Sequence, residues 1–194
     1  ITHQTNMLNF EWNFMKKILI ILLAILCIPI SAFAISLTTL QNNPDRYLKV
    51  DEDSTAAMYL DTYSVKSIRY SPPYYTLSAQ TYYVNYEYCL IASNSVIFNY
   101  DYNHSVKTTR EQIVLNMLQN NETLTEDAIE SNIENALRKD SGINFNYQLQ
   151  DIWTLIGQKI KSPAGDRQNI DISYDSPSYA LAQYVFHTYY NQYF

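Results

Sequence analysis

Apolar and polar residues alternate along the chain between residues 47 and 102. Stretches rich in Tyr, Val, Ile and Thr are separated by turn-forming residues, chiefly Ser71-Pro72-Pro73 and Ser93-Asn94. A period of two is typical of β-strands whose faces meet different surroundings. The pattern therefore predicts antiparallel strands at residues 58–61, 64–70, 74–90 and 95–102.

After residue 102 the apolar spacing becomes that of an α-helix. Thr108 and Glu111 form a candidate capping box, and the apolar positions behind them are Ile113, Val114, Met117 and Leu118. Asn120-Asn121 then interrupts the pattern. A second helix begins after Thr125 as N-cap and ends before Gly142, with an inner stripe of Ile129, Ile133, Ala136 and Leu137.

The last third of the chain predicts a strand, a loop and a helix. Alternation returns over residues 143–155, Gly157 predicts a return strand at 158–161, and residues 162–166 are typical of a loop. Ser176-Pro177 predicts the start of a helix. Its inner side is expected to carry Leu181, Val185 and Tyr189, flanked by Tyr184 and Phe186.

Together these elements predict an α+β fold. One face of the strands is apolar and the other is mixed, which is typical of a sheet that is covered on one side and partly wet on the other. We expect a mostly antiparallel sheet of about five or six strands, covered on one face by two or three helices.

Residues 15–34 have the three parts of a cleavable signal peptide. Lys16 and Lys17 precede an apolar run at 18–28 that is too short to span a bilayer, and Ala32-Phe33-Ala34 is a small-x-small cleavage site. We expect the protein to be exported to the periplasm, the cell surface or the medium, with no membrane span after cleavage. Residues 1–14 are interpreted as a disordered extension from a start site assigned too early.

Cleavage after Ala34 leaves residues 35–194, a suitable length for a single exported domain. Cys89 is the only cysteine in that part, so an internal disulfide is not expected. Two interpretations of Cys89 remain: a small buried residue on a strand, or a thiol that forms an intermolecular bridge or reacts.

Composition excludes several classes of function. The chain carries a formal charge of −6 and no basic stripe, so nucleic acid is not expected as a partner. It has only three glycines, which argues against dinucleotide and P-loop sites. There is no HExxH motif and no cysteine pair, so neither a metal nor a cofactor is expected.

A few polar clusters are candidates for catalysis or metal binding. A hydrolytic group is conceivable at Asp101, His104 and Ser105. No Gly-x-Ser-x-Gly motif is present, however, and a polar turn needs such residues for hydrogen bonding in any case. The run at residues 51–55 is interpreted as a solvated loop rather than a calcium site. The remaining aspartates are interpreted as surface charges: Asp166, Asp171 and Asp175.

Tyrosine is the one compositional excess, with 19 residues, all after the predicted cleavage site. Tyrosine offers a flat apolar ring and a hydroxyl at a low entropic cost, which suits sugar stacking and protein interfaces. Most tyrosines are expected in the core and on the sheet. Tyr70, Tyr74 and Tyr75 surround Pro72-Pro73 and are the candidate binding residues, because a diproline turn is not buried within a sheet ladder.

The segment from Tyr59 to Lys66 contains Tyr-x-Asp-x-x-Ser-Val-Lys and leads into the alternating stretch up to Tyr86. In this it resembles the small exported domains grouped with surface-adhesin protein E. That resemblance implies a sheet backed by helices and a role in contacting macromolecules at the cell surface. We expect a non-enzymatic bacterial envelope protein that binds a protein or a glycan. The alternatives are an envelope hydrolase using Asp101 and His104, and a structural subunit of an envelope assembly.

Overall fold

The computed structural model describes residues 34–160, 165 and 167–194. The predicted signal peptide, including Ala32, lies outside the described residues, apart from Ala34, which is exposed. The same holds for Asp166 and most of the predicted loop before it. Signal cleavage therefore stays a prediction, and the fold is described from Ile35 onward.

Four helices, a short 3₁₀ turn (Tyr102–His104) and seven strands follow one another in the described part of the chain. The helices are α1 (Leu37–Gln41), α2 (Val106–Gln119), α3 (Glu126–Lys139) and α4 (Pro177–Tyr190). The strands are β1 (Tyr47–Glu52), β2 (Ala56–Ser71), β3 (Tyr74–Asn85), β4 (Leu90–Asp101), β5 (Ile143–Thr154), β6 (Lys159–Ile160) and β7 (Gln168–Asp171).

The strands form one antiparallel sheet in the order β1-β2-β3-β4-β5-β6, and β7 pairs with another part of β5. The predicted α+β class is thus confirmed, with seven strands in the sheet. Among the described helices, none combines the length and the apolar character needed to cross a bilayer.

Local capping explains where the helices begin. The side chains of Thr125 and Ser176 accept hydrogen bonds from backbone N–H groups three residues ahead, which confirms both predicted N-caps. The predicted cap at Thr108 is wrong. The N-cap of α2 is Ser105, three residues earlier, whose buried hydroxyl accepts the N–H of Thr108.

The predicted turn at Ser93-Asn94 is also wrong, because both residues lie inside β4. Ser93 is buried at a bulge opposite Asp151, where its hydroxyl accepts the Asp151 N–H at 3.2 Å. The chain turns earlier, between Asn85 and Leu90, where the Asn85 side chain accepts the N–H of Tyr88.

Cys89 lies in that earlier turn and is exposed, so the interpretation as a buried strand residue is wrong. Its φ of 54° places it in the left-handed region, which strands do not use. The acidic run at residues 51–55 ends β1 and forms the turn into β2. There the Asp53 carboxylate accepts the backbone N–H groups of Thr55 and Ala56.

Two elements that the sequence pattern missed, α1 and β1, contribute Leu40 and Tyr47 to a second core, whose other residues come mainly from β2 to β5. Helix α1 is only five residues long, and Leu40 is its only buried residue. The core contains Ile35, Leu40, Tyr47, Ala57, Tyr59, Tyr82, Val84, Ile91 and Trp153. Burial raises the pKa of Tyr82 in this core to about 12.

Residues 58–70, which the sequence pattern predicts as two strands, belong to one strand, β2. Its pairing with β3 is irregular between Asp61 and Lys66. The Ser64 hydroxyl donates to the Asp61 carbonyl at 2.6 Å and accepts the Gln80 N–H at 2.7 Å. The buried Asp61 carboxylate is paired with the Arg46 guanidinium at 2.9 Å. These contacts stabilise the bend, because a buried carboxylate requires a charged or hydrogen-bonding partner.

The main core lies between α4 and the sheet. Phe186 is fully buried, and its ring lies within 6.3 Å of the rings of Tyr75, Tyr100, Tyr102, Tyr190 and Phe194. The Tyr100 hydroxyl donates to the Ala182 carbonyl at 2.8 Å. Tyr189 was expected on the buried side of α4 but is 48% exposed, because Phe186 occupies the centre of that side.

Helices α2 and α3 pack on each other in a third cluster of Met117, Ile129, Ile133 and Leu137. Tyr174 contacts this cluster and the main core alike. The Arg138–Asp175 ion pair and a hydrogen bond from the Ser141 hydroxyl to the Ile172 carbonyl support the same junction. The end of α3 is thereby fixed next to the start of β5.

Substituting Phe186→Ala is expected to lower the free energy of unfolding by about 3–5 kcal/mol, because it leaves a cavity among five aromatic rings. Tyr189→Ala on the same helix is the matched control, with an expected loss below about 1 kcal/mol. Urea unfolding followed by circular dichroism measures both. Equal losses in the two variants would contradict the assignment of Phe186 to the centre of the core.

Candidate functional site

The two adjacent tyrosines after the diproline turn point to opposite faces of the sheet. Tyr75 faces α4, where the rings of Tyr70, Tyr102, Phe186 and Tyr190 lie 5.4 to 5.9 Å from its own. It is half-buried, and this burial raises the pKa of its hydroxyl. Tyr75 thus contributes mainly to packing.

Tyr74 lies on the other face of β3 and is 47% exposed. The guanidinium carbon of Arg69, on β2, lies 5.8 Å from the centre of the Tyr74 ring, which is within the range of a cation–π contact. Tyr70 is 68% exposed and contacts Tyr75 edge-on. Of the three candidate tyrosines, Tyr74 is the one whose exposed ring contacts a charged side chain, that of Arg69.

A cavity of about 430 Å³ opens beside Tyr74. The strand register places Arg69, Thr76, Asn99 and Asn144 in one row across β2, β3, β4 and β5, with Tyr74 opposite Asp101 in the next row. The lining residues are Arg69, Tyr74, Tyr75, Thr76, Asn99, Tyr100, Asp101, His104, Asp140, Gly142, Ile143 and Asn144.

His104 lies between two carboxylates at one end of this cavity. Its Nδ1 is 3.4 Å from Oδ2 of Asp101, and its Nε2 is 3.4 Å from Oδ2 of Asp140. The Nδ1 atom is shielded from solvent and makes no hydrogen bond to any described residue. The structure therefore joins three titratable groups from two chain segments that are distant in the sequence.

Backbone capping holds both carboxylates in place. The Asp101 carboxylate accepts the N–H of Asn103 at 3.1 Å, and the Asp140 carboxylate accepts the N–H of Gly142 at 2.9 Å. The Asp101 N–H in turn donates to the Gly142 carbonyl at 2.8 Å. These bonds fix the end of β4 against the start of β5.

Gly142 permits this close approach. Its φ is +66°, and a Cβ atom there would lie 2.6 Å from the His104 Cβ and 2.9 Å from the Asp101 carbonyl oxygen. Real carbon atoms do not come so close without displacement. The glycine that the sequence indicated as a helix terminator therefore also makes room for His104.

The residues of the proposed hydrolytic group separate in the structure. Asp101 and His104 line the cavity, whereas Ser105 is buried and caps α2. Asp175 pairs with Arg138, and Asp171 lies at the end of β7 in register with Asn144. The cavity therefore contains the Asp101–His104 pair without the serine.

Sequence reasoning missed the other polar residues of the cavity, namely Arg69, Thr76, Asn99, Asp140 and Asn144. The alternation of β3 places Thr76 on the face of Tyr74, and that of β4 places Asn99 on the face of Asp101. These local signals were present in the sequence. They did not show which residues pair across the strands, because the wrongly predicted turn at Ser93-Asn94 gave β3 and β4 the wrong register.

The cavity offers hydrogen-bonding groups of several kinds but no metal site. Among the described residues, no three His, Cys, Asp or Glu side chains are grouped so that they could bind a metal ion. The Thr76 hydroxyl donates to the Asn99 side-chain oxygen at 3.0 Å. Asp101 and Asp140 can accept hydrogen bonds from a ligand, and Arg69 can donate them. The Tyr74 ring lies beside these groups in the same cavity.

Comparison of this chain with models of protein families, with curated proteins and with solved structures finds no match in any of the three. Functional inference therefore depends on the cavity itself and on the sequence features described above.

Gly142→Ala is expected to destabilise the protein by about 2 kcal/mol or more, because left-handed strain alone costs about 1–2 kcal/mol and the new Cβ displaces His104. Gly157→Ala is the control, since Gly157 also has a positive φ but lies outside the cavity. The NMR signals of the His104 imidazole should shift only in Gly142→Ala. Unchanged signals there would refute the close contact.

Proposed function

We propose that this protein is a non-enzymatic binding module of the bacterial envelope and that it holds a glycan in the cavity beside Tyr74. The observation that carries this proposal is the combination in one cavity of an exposed aromatic ring with carboxylate, amide, hydroxyl and guanidinium groups. The volume of about 430 Å³ lies within the range of small-molecule sites.

A sugar has two surfaces that this cavity complements. Its C–H groups form an apolar patch that packs on an aromatic ring such as Tyr74. Its hydroxyls both donate and accept hydrogen bonds, which suits the acceptors Asp101 and Asp140, the donor Arg69 and the amide of Asn99. Because Arg69, Asn99 and Asp101 lie with Tyr74 on adjacent paired strands, they are held in place before the ligand arrives.

A protein partner fits this surface less well. Stable protein interfaces bury about 800 Å² on each partner around a central apolar patch. Tyr74 is instead surrounded by polar groups, and other exposed aromatics such as Tyr63, Tyr83 and Tyr88 lie elsewhere along β2, β3 and the following turn. Binding of a protein is therefore the less favoured form of the proposed binding role.

The proposed compartment rests on the sequence. The leader at residues 15–34 supports export, and the Tyr-x-Asp-x-x-Ser-Val-Lys segment resembles surface-adhesin domains. The acidic chain, with a formal charge of −6, also suits a partner other than nucleic acid. We place the protein in the periplasm, on the cell surface or in the medium.

Tyr74→Ala is expected to weaken glycan binding about tenfold or more, because truncating an aromatic anchor costs more than about 1 kcal/mol. Tyr83→Ala is the matched control: Tyr83 lies on the same strand, is 40% exposed and lies outside the cavity. A glycan array with the wild-type protein identifies the ligand, and isothermal titration then measures both variants.

Tyr75 is avoided in this test, because its ring packs against the core and its removal would destabilise the protein as well as alter the site. The proposal fails if no glycan is retained, or if both variants lose affinity equally. If the wild-type protein instead captures a protein partner and Tyr74→Ala does not, the binding role stands but the partner is a protein and not a glycan.

A second candidate function, hydrolysis, is favoured by the convergence of Asp101, His104 and Asp140 around the cavity. An aspartate beside one imidazole nitrogen can orient the ring, so that the other nitrogen removes a proton from water. The Nε2 atom of His104 is the nitrogen that lies beside the more exposed carboxylate, Asp140.

His104→Gln separates the two functions. If the protein is a hydrolase, the wild type should release new reducing ends from the bound glycan, and His104→Gln should lower that rate at least about a hundredfold. If the protein only binds, the glycan is recovered intact from both proteins. Mass spectrometry of the glycan after incubation measures either outcome.

A further inference from the structure

The charges around the cavity are distributed unevenly. Arg69 lies at one end, on β2, and the two aspartates with His104 lie at the other, beyond β4. Neighbouring strands are about 4.8 Å apart, so β2 and β4 are separated by about 10 Å. This span is longer than one sugar ring, so the two ends contact different parts of a ligand.

Arg69 is an exposed cation with unused hydrogen-bonding capacity. Among the described residues, its guanidinium has the cation–π contact with Tyr74 but no carboxylate within ion-pair distance. Arg46, Arg110 and Arg138, by contrast, are each paired with a carboxylate. The guanidinium of Arg69 therefore keeps its N–H donors available beside the cavity, while the Tyr74 ring restricts where it lies.

The carboxylates at the opposite end are already engaged. Asp101 and Asp140 each accept a backbone N–H, and each approaches one nitrogen of His104. An anionic group on the ligand is repelled from that end and attracted to Arg69. Ligand hydroxyls, which donate hydrogen bonds, suit the carboxylate end.

We propose that the glycan bound in this cavity is acidic, with a sugar carboxylate paired to Arg69 and neighbouring hydroxyls directed at Asp101 and Asp140. This inference rests on the proposed glycan-binding function and specifies its ligand. A guanidinium and a carboxylate form two parallel N–H···O bonds, which a neutral sugar cannot reproduce. The span of the cavity favours a uronate-containing oligosaccharide of at least two residues.

The test uses two pairs of oligosaccharides that differ only at C6: oligogalacturonate against the neutral galactose oligomer, and oligoglucuronate against the neutral glucose oligomer. Each is titrated into the purified protein, expressed as the full chain, at low and at high salt. In at least one pair the acidic member should bind about tenfold tighter, and salt should reduce that advantage.

Arg69→Gln should abolish the preference by weakening the acidic member far more than the neutral one, whereas Arg69→Lys should keep part of it, since lysine retains the charge without the planar fork. Lys66→Gln is the matched control. Lys66 is exposed on the same strand and carries the same charge, but it lies outside the cavity.

Any one of three results would overturn the inference. The first is that neither acidic oligosaccharide binds tighter than its neutral partner. The second is that Arg69→Gln weakens both members of a pair equally, and the third is that Lys66→Gln removes the preference as fully as Arg69→Gln does. If neutral glycans still bind in a manner that depends on Tyr74, the proposed function stands and only the acidic specificity fails. If none of the four oligosaccharides binds and the glycan array retains nothing, both proposals fail.

Discussion

The packing of Phe186 against the rings of the helix-facing sheet surface is the interaction on which the rest depends. Burying a ring of this size contributes about 1.5–3 kcal/mol, and five aromatic neighbours share the contact. Tyr75 is one of them, and side chains alternate along a strand. Fixing Tyr75 toward Phe186 therefore directs Tyr74 to the opposite face, where the cavity lies.

The cavity depends equally on a close backbone contact between two distant segments. Gly142 lies against His104 and Asp101, and no larger residue fits there without displacing them. Two hydrogen bonds hold the contact: the Asp101 N–H donates to the Gly142 carbonyl, and the Gly142 N–H donates to the Asp140 carboxylate. The same residues that join β4 to β5 therefore position the acidic end of the site, so a substitution that loosens the junction is expected to alter binding as well.

Local signals explain what could be predicted from the sequence. Helices α3 and α4 were found because their caps and apolar stripes lie within a few residues of each other, as with Thr125 and Ile129. The cavity was found only in part. Tyr74, Asp101 and His104 were candidates, but whether they meet depends on strand register. The sequence did not reveal that register, because Ser93 and Asn94 pair with β5 across a bulge instead of forming a turn. Asp140 was missed because its role comes from contact with His104, more than thirty residues earlier in the chain.

The position of His104 also bears on the choice between binding and catalysis. The Nδ1 atom of His104 makes no hydrogen bond to any described residue, and each of its ring nitrogens lies 3.4 Å from a carboxylate oxygen. Both carboxylates therefore keep acceptor capacity for a ligand, and Asp140 is the more exposed of the two. A ligand hydroxyl is a natural donor to such a group. We rank binding first because the aromatic ring, the carboxylates and the guanidinium that line the cavity suit a sugar as they stand, whereas hydrolysis additionally requires His104 to remove a proton from an attacking water.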